Sequence, residues 1–302
     1  MFTIGYNTNG LAHHRLLDAL RLLSDLGYEG VAITPDVGVL DPLQLDRGLM
    51  ADTRSWAQDL GLALSIETGA RFVLDARRKH YPTLLEDDPQ ARARRVDFLK
   101  RSIDMAAALE APLVSLWSGA APDGCVADDP DSPGAEDARA IGWERLCHGL
   151  TQVLEHGREC GVQIAFEPEP GMFIERPGGY GELLERLGPA GDALGLCLDV
   201  GHLLVTGDLP VERVIHAWAP RLVHVHLDDI ADGIHEHCMF GSGDLDLTAT
   251  LSALIEVGYD GMAAVELSRD SHRGAAAAGE AMDRIRAALG GSGPDGAGLS
   301  AS

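Results

Sequence analysis

The sequence predicts an α/β fold, a (β/α)8 barrel in a single domain over residues 1–289, followed by a Gly/Ser/Ala-rich segment, 290–302, read as a disordered tail. Three observations carry this reading. Eight short β-branched or apolar runs alternate with longer runs of helical spacing along the chain. Three helical runs stop alike, at Leu26-Gly27-Tyr28, Cys160-Gly161-Val162 and Val257-Gly258-Tyr259, where Gly suits a left-handed cap before the next strand. Eight such units in 302 residues also match the length of a barrel. A doubly wound open sheet is the alternative, since periodicity alone does not show closure.

The first strand, Thr3–Tyr6, leads into a helix over Ala12–Leu26. There Leu16, Leu17, Leu20, Leu23 and Leu26 repeat at three and four residues, the stripe that packs a helix on a sheet. Gly30–Ile33 precedes a helix over Pro42–Leu60, and Ala63–Glu67 precedes one over Ala91–Leu109. Leu113–Trp117 is followed by Ala135–Cys160, Gln163–Glu167 by Tyr180–Leu187, and Gly195–Asp199 by Val211–Trp218. Val223–Leu227 pairs with Leu247–Val257, and Ala263–Leu267 with Ala275–Leu289. Two connections exceed ordinary loop length, Thr68–Gln90 and the Pro/Asp/Gly-rich Ser118–Gly134. Both follow strands, so they rise over the face where barrel enzymes keep their chemistry and are candidate lids.

Charge narrows the function classes. The 24 basic and 47 acidic residues give 24 − 47 = −23, which opposes binding to nucleic acid or an anionic membrane surface. Apolar runs such as Leu194–Leu198 are far too short to span a bilayer, and Met1–Gly10 lacks the basic flank and apolar core of a secretory signal. The five cysteines are scattered without a C-x-x-C pair, which argues against a disulfide framework or a thiolate zinc site. The expectation is a cytoplasmic protein with reduced thiols.

Chemistry concentrates where the last four strands end, at Glu167, Asp199, His226 and Glu266. In a barrel these converge at one mouth. Three carboxylates and an imidazole form a mixed O/N set suited to Mn²⁺, Mg²⁺, Co²⁺ or Zn²⁺. Any one acidic strand end could be a helix cap; four in succession are hard to explain that way. Six of twelve histidines lie between positions 202 and 237. His202 is three residues after Asp199, whereas His235 and His237 fall in the loop after the seventh strand, where a solvated polar loop is the alternative. His224 reads as a buried hydrogen-bonded residue or a partner to His226, and His216 as packing or surface. The earlier strand ends and lids supply specificity candidates: Asn7, Thr34, Glu67, Arg71, Trp117 and Ser118. Trp117 could stack on the apolar face of a sugar. Gly69-Ala70-Arg71-Phe72 and Arg77-Arg78-Lys79-His80 are unusually basic for this chain and could meet a phosphate or carboxylate, although the second stretch also reads as a solvated surface helix.

At these residues the chain resembles the xylose-isomerase-like barrel superfamily of sugar and sugar-phosphate isomerases and epimerases, which also contains endonuclease-IV-like phosphoesterases. The matching pieces are Phe166-Glu167, Leu198-Asp199-x-x-His202, His224-Val225-His226-Leu227-x-Asp229, His237-x-x-Phe240-Gly241-x-Gly243-Asp244-x-Asp246, and Gly258-Tyr259-x-Gly261 leading to Val265-Glu266. The resemblance implies one divalent metal on Glu167, Asp199, His226 and Glu266. It also implies acid/base roles for Glu167 and Glu266, and a substrate hydroxyl held by His202. The implied reaction is isomerisation or epimerisation of a sugar, sugar phosphate or keto-cyclitol through an enediolate. A lyase shares that first step. The phosphoesterase branch is the other alternative: its second metal would fall on His202, His235 and His237, although His235 stands where that branch carries Asp. Its third site looks absent, with Glu67-Thr68 and Trp117-Ser118 in place of two histidines and His80 the only nearby substitute. The resemblance further implies a small-molecule polyol or sugar partner and a homo-oligomer.

Overall fold

A computed structural model describes residues 2–35, 40–69, 71–122 and 135–290. Most of the second candidate lid and nearly all of the tail lie outside them. Eight parallel strands close into a barrel in chain order, β1 pairing with β8. They are β1 Thr3–Asn7, β2 Gly30–Ile33, β3 Ala63–Glu67, β4 Leu113–Leu116, β5 Gln163–Phe166, β6 Leu194–Asp199, β7 Leu222–Leu227 and β8 Met262–Val265. Closure excludes the open sheet. The helices among the described residues are α1 Leu16–Leu26, α2 Arg47–Leu60, α3 Pro89–Leu109, α4 Ala135–Cys160, α5 Pro177–Leu187, α6 Val200–Thr206, α7 Val211–Trp218, α8 Leu247–Glu256 and α9 Gly274–Gly290. None is long and apolar enough to cross a membrane.

Alternation along each strand divides the molecule into two environments. Outward side chains such as Val31, Ile33, Leu64, Ile66, Val114, Leu116, Val225 and Val265 join the helices in one large apolar core. Inward positions are small or polar apart from Leu113, Trp117 and Met262. Ala32, Met262 and Ala264 form one buried group, and Leu113, Ala165 and Cys197 another. Met262 fills the closed end, where a Cβ on Gly5 or Gly30 would lie 2.6 Å from it. Two residues further along the inward face, every strand delivers one side chain to the opposite end: Asn7, Thr34, Glu67, Trp117, Glu167, Asp199, His226 and Glu266.

Three expectations about the elements change. The first helix begins at Leu16, not Ala12, because Thr8–Leu11 forms a buried 3-10 turn capped by the Asn7 side chain on the Asn9 amide at 3.1 Å. Likewise Asp46 caps Gly48 and Leu49 and starts α2 at Arg47 rather than Pro42. The basic stretch 77–80 is a run of bends and turns, not a helix. Asp75 accepts the amides of Arg77 and Arg78, and the Arg78 guanidinium stacks 3.7 Å over the Tyr81 ring. Beyond these, Gly27, Gly161 and Gly258 do adopt positive φ at the ends of their helices.

Candidate active site

Seven of the eight strand-end residues line a cavity of about 510 Å³ at the C-terminal end of the barrel, and the eighth, Asp199, is buried just beneath its wall against His226. A one-residue register shift at Leu196/Cys197 in the pairing of β6 with β7 sets Asp199 beside His226. Glu167 and Glu266 lie one residue past their strands, where their amides still bond to Leu116 and Leu227 on the neighbouring strands. The result is a cluster of carboxylates around one imidazole nitrogen. Nδ1 of His226 is 3.0 Å from Glu167 Oε1, 3.1 Å from Glu266 Oε2 and 3.7 Å from Asp199 Oδ2.

Asp199 is both a helix cap and a site residue. Its Oδ1 accepts the His202 amide at 2.9 Å and starts α6, while Oδ2 is buried with no hydrogen-bond partner. An orphaned buried carboxylate oxygen is costly unless a cation meets it. Three carboxylate oxygens 3.0–3.7 Å from the shared nitrogen, with that nitrogen as the fourth ligand atom, fit one divalent ion with bonds near 2.1 Å, which sets ligand separations of about 3–3.5 Å. The residues present therefore fit a metal.

Behind His226 stands Glu67, read from the sequence as a specificity candidate. It lines the cavity, but its oxygens face protein groups. Oε1 is 3.1 Å from His226 Nε2 and 2.9 Å from His224 Nε2, and Oε2 accepts the Ser115 hydroxyl across the register pair Glu67–Ser115. Burial would raise the Glu67 carboxyl, yet His226 and His224 hold it well below its ordinary range. Burial opposes protonation of His226 too, but Cys197, Glu67, Glu167 and Glu266 outweigh it and hold the imidazole well above its ordinary value. Glu167 and Asp199 are raised, by burial first.

Three histidines form a second cluster on the same rim: His202, His235 and His237 offer ring nitrogens within 4.8 Å of one another. His202 donates from Nδ1 to the Pro168 carbonyl at 3.1 Å. Burial, then His237 and His235, keep its ring neutral, so its Nε2 accepts from His235 Nε2 at 3.0 Å. His237 donates from Nδ1 to Asp228 at 2.8 Å. The loop carrying them is built on Asp229, whose carboxylate accepts the amides of Gly241, Gly243 and Leu245 at 2.7–2.9 Å. A Cβ on Gly243 would lie 2.2 Å from the Ile230 carbonyl, so the loop needs glycine there.

Of the other expected residues, Asn7, Thr34, Arg71 and Trp117 line the cavity. Thr34 donates to Asn7 at 2.7 Å. Ser118 does not line it: its hydroxyl is spent on the Ile174 amide and the Gly119 carbonyl, which fix the backbone after β4. His216 is an ordinary surface partner of Glu256 at 3.2 Å.

Two contributors, Asn9 and Glu169, were not singled out from the sequence, and a third, His80, has a different place from the one expected. Asn9 donates to Glu266 at 2.7 Å. Glu169 lines the cavity with its carboxyl pushed up to about 8, by burial and then by Glu167 and Glu266. His80, read from the sequence as a substitute third-metal ligand and as the end of the basic stretch, packs edge-on to Trp117 with ring centroids 5.3 Å apart and donates from Nδ1 to the Gly69 carbonyl. Its φ of 68° is unusual for a non-glycine residue and would have been invisible in any pattern.

Residues 20–288 match the xylose isomerase-like TIM barrel family. Among solved structures, an L-ribulose 3-epimerase superposes with TM-score 0.74 at 20% identity, covering 96% of this chain and 95% of that one. D-allulose 3-epimerase from Methylomonas sp. superposes with TM-score 0.71 at 18% identity, covering 95% and 96%. By sequence, an inosose dehydratase of Lacticaseibacillus casei is 30% identical over 145 residues, which is 42% of this chain. A rhizopine catabolism protein of Rhizobium meliloti is 30% identical over 149 residues, 43% of this chain and 44% of its own length. The matched stretch spans about half the length of these curated relatives, 48% for the dehydratase. With the closed barrel and the match over residues 20–288, the chain belongs to the xylose isomerase-like TIM barrel family.

Proposed function

We propose that this protein is a divalent-metal-dependent enzyme that moves a proton on the carbon beside a carbonyl of a sugar, sugar phosphate or keto-cyclitol, as an isomerase or epimerase. The observation that carries the reading is the meeting of Glu167, Asp199 and Glu266 on the Nδ1 side of His226, with one carboxylate oxygen of Asp199 left without a partner. Those four residues would hold Mn²⁺, Co²⁺, Mg²⁺ or Zn²⁺. When bound, the ion supplies positive charge beside adjacent substrate oxygens, where an enediolate builds up negative charge.

The chain's own groups do the rest. Glu167 follows β5 and Glu266 follows β8, and both line the cavity, so a sugar bound between them would have a carboxylate on each side. One removes the proton and the other returns it, and Asn9 holds Glu266 in place. Trp117 offers an aromatic wall, and His202 and Arg71 offer polar contacts for hydroxyl or anionic groups. The free thiols at Cys147, Cys160, Cys197 and Cys238 fit the reducing cytoplasm.

Dehydration is a second reading, favoured by Glu169, an additional carboxyl facing the cavity that is well placed to protonate a departing hydroxyl. The partial similarity to inosose dehydratase agrees with it. The test is solvent-deuterium exchange into a panel of ketoses and inososes with metal-loaded protein. Exchange at one carbon with conserved mass supports isomerisation or epimerisation, and exchange with loss of water supports the lyase. Hydrolysis of phosphate esters without any exchange would overturn both and assign His202, His235 and His237 to a hydrolytic metal pair.

A further inference from the structure

At the other end of the barrel, where α4 hands the chain to β5, three side chains of different ligand types meet on the surface. His156 and Cys160 are one helical turn apart on α4 and so share a face. Asp104 reaches them from α3. His156 Nε2 is 2.7 Å from Asp104 Oδ1, and Cys160 Sγ is 3.7 Å from each of those atoms. The His156 side chain is 23% exposed and that of Asp104 53%, so the cluster is open to solvent on one side.

We propose that Asp104, His156 and Cys160 form a binding site for Zn²⁺ or a similar borderline-soft divalent cation, separate from the barrel mouth and bridging α3 to α4. Bonds of about 2.3 Å to sulfur and about 2.0–2.2 Å to nitrogen and oxygen place the sulfur of a tetrahedral site about 3.5 Å from its partners. Both sulfur separations are already close to that. The His–Asp separation of 2.7 Å has to open by about 0.7 Å as the cation takes the place of the shared proton, a shift that the half-exposed Asp104 side chain can make. Water fills the fourth position on the open side. A mixed N/O/S set selects Zn²⁺ or Co²⁺ over Mg²⁺ or Ca²⁺, which prefer oxygen alone. A nucleophilic role for the Cys–His–Asp arrangement fits less well. Burial and the Asp104 carboxylate push the Cys160 thiol up, so it rests protonated and gains reactivity only when a cation displaces the proton.

The full-length protein loaded with Co²⁺ supplies the test, because a thiolate ligand adds an intense near-ultraviolet charge-transfer band. The band is expected in the unmodified chain and in Glu266→Ala, which disrupts only the barrel mouth. It should vanish in Cys160→Ser, weaken at least about tenfold in apparent Co²⁺ affinity in His156→Gln, and bleach on addition of Zn²⁺. Absence of the band from the loaded unmodified chain, or its survival in Cys160→Ser, overturns the assignment. Neither result bears on the enediolate reading, since Glu266→Ala reports that site independently.

Discussion

Glu67 decides which nitrogen of His226 is offered to the carboxylates. Oε1 of Glu67 lies 3.1 Å from Nε2 of His226 without completing a hydrogen bond, and its negative charge favours a proton on that nitrogen, which would leave the Nδ1 lone pair facing Glu167, Asp199 and Glu266 for a cation. Carboxylate partners behind ligand imidazoles raise metal affinity by about 10–100-fold. Glu67→Gln should therefore weaken metal binding by about that factor while leaving the fold intact, as read by titration against a chromophoric chelator. Unchanged affinity would reduce Glu67 to a filler of the barrel interior. His80 supports a parallel argument about substrate. Its Nδ1 proton is committed to Gly69, leaving Nε2 an acceptor on the cavity wall beside Trp117. His80→Asn tolerates the positive φ and removes only the imidazole. It should raise KM about tenfold for a hydroxylated substrate with kcat nearly unchanged. Burial holds the His80 ring down to about 4, so in the native enzyme this acceptor contributes no inflection to the pH profile near neutrality.

At the scale of elements, the strands and the ends they present were legible because period two is written into each run, as in Cys197-x-Asp199 and His224-x-His226. Glu167, Asp199, His226 and Glu266 could be placed by parity alone. What escaped was non-repeating. The helix α6 has only seven residues, too few for a 3.6-residue period to emerge, although Asp199 as cap and Gly207 at φ 72° bound it. Because α6 forms there, His202 sits in its first turn and faces the cavity instead of extending from a loop. Asn9 was equally hidden, since its reach to Glu266 depends on a 3-10 turn joining opposite ends of the sequence. The loop after β7 illustrates a motif residue whose work is architectural. Asp229 gathers amides from Gly241, Gly243 and Leu245. Charge-assisted hydrogen bonds are worth about 1.5–3 kcal/mol each and overlap in a shared acceptor, so Asp229→Ala should cost on the order of 3 kcal/mol in urea unfolding. It should also release His235 and His237 while sparing the four metal candidates. Full stability in that variant would mean that the loop is held by its other contacts.

For the whole molecule the governing fact is where negative charge is concentrated. The chain carries a net −23, and four of its carboxylates, Glu67, Glu167, Asp199 and Glu266, are gathered around one imidazole at the barrel mouth. Surface repulsion is softened by water and salt, whereas the mouth is largely desolvated and screened much less. A divalent cation held there, as proposed, would bind the folded barrel and have no comparable site on the unfolded chain, so its occupancy would add to stability by mass action. At a free concentration a hundredfold above Kd the gain is about 2.7 kcal/mol. For a chain of this size that corresponds to roughly 4 °C in Tm. Chelation should lower Tm by that amount, re-addition of Mn²⁺, Co²⁺ or Zn²⁺ should restore it, and raised salt should leave the difference in place. Glu266→Ala should lose most of the shift. Retention of the whole shift in Glu266→Ala and its loss in Cys160→Ser would instead locate the stabilising ion on α3 and α4, and the carboxylates at the mouth would then need some other source of positive charge to share one cavity.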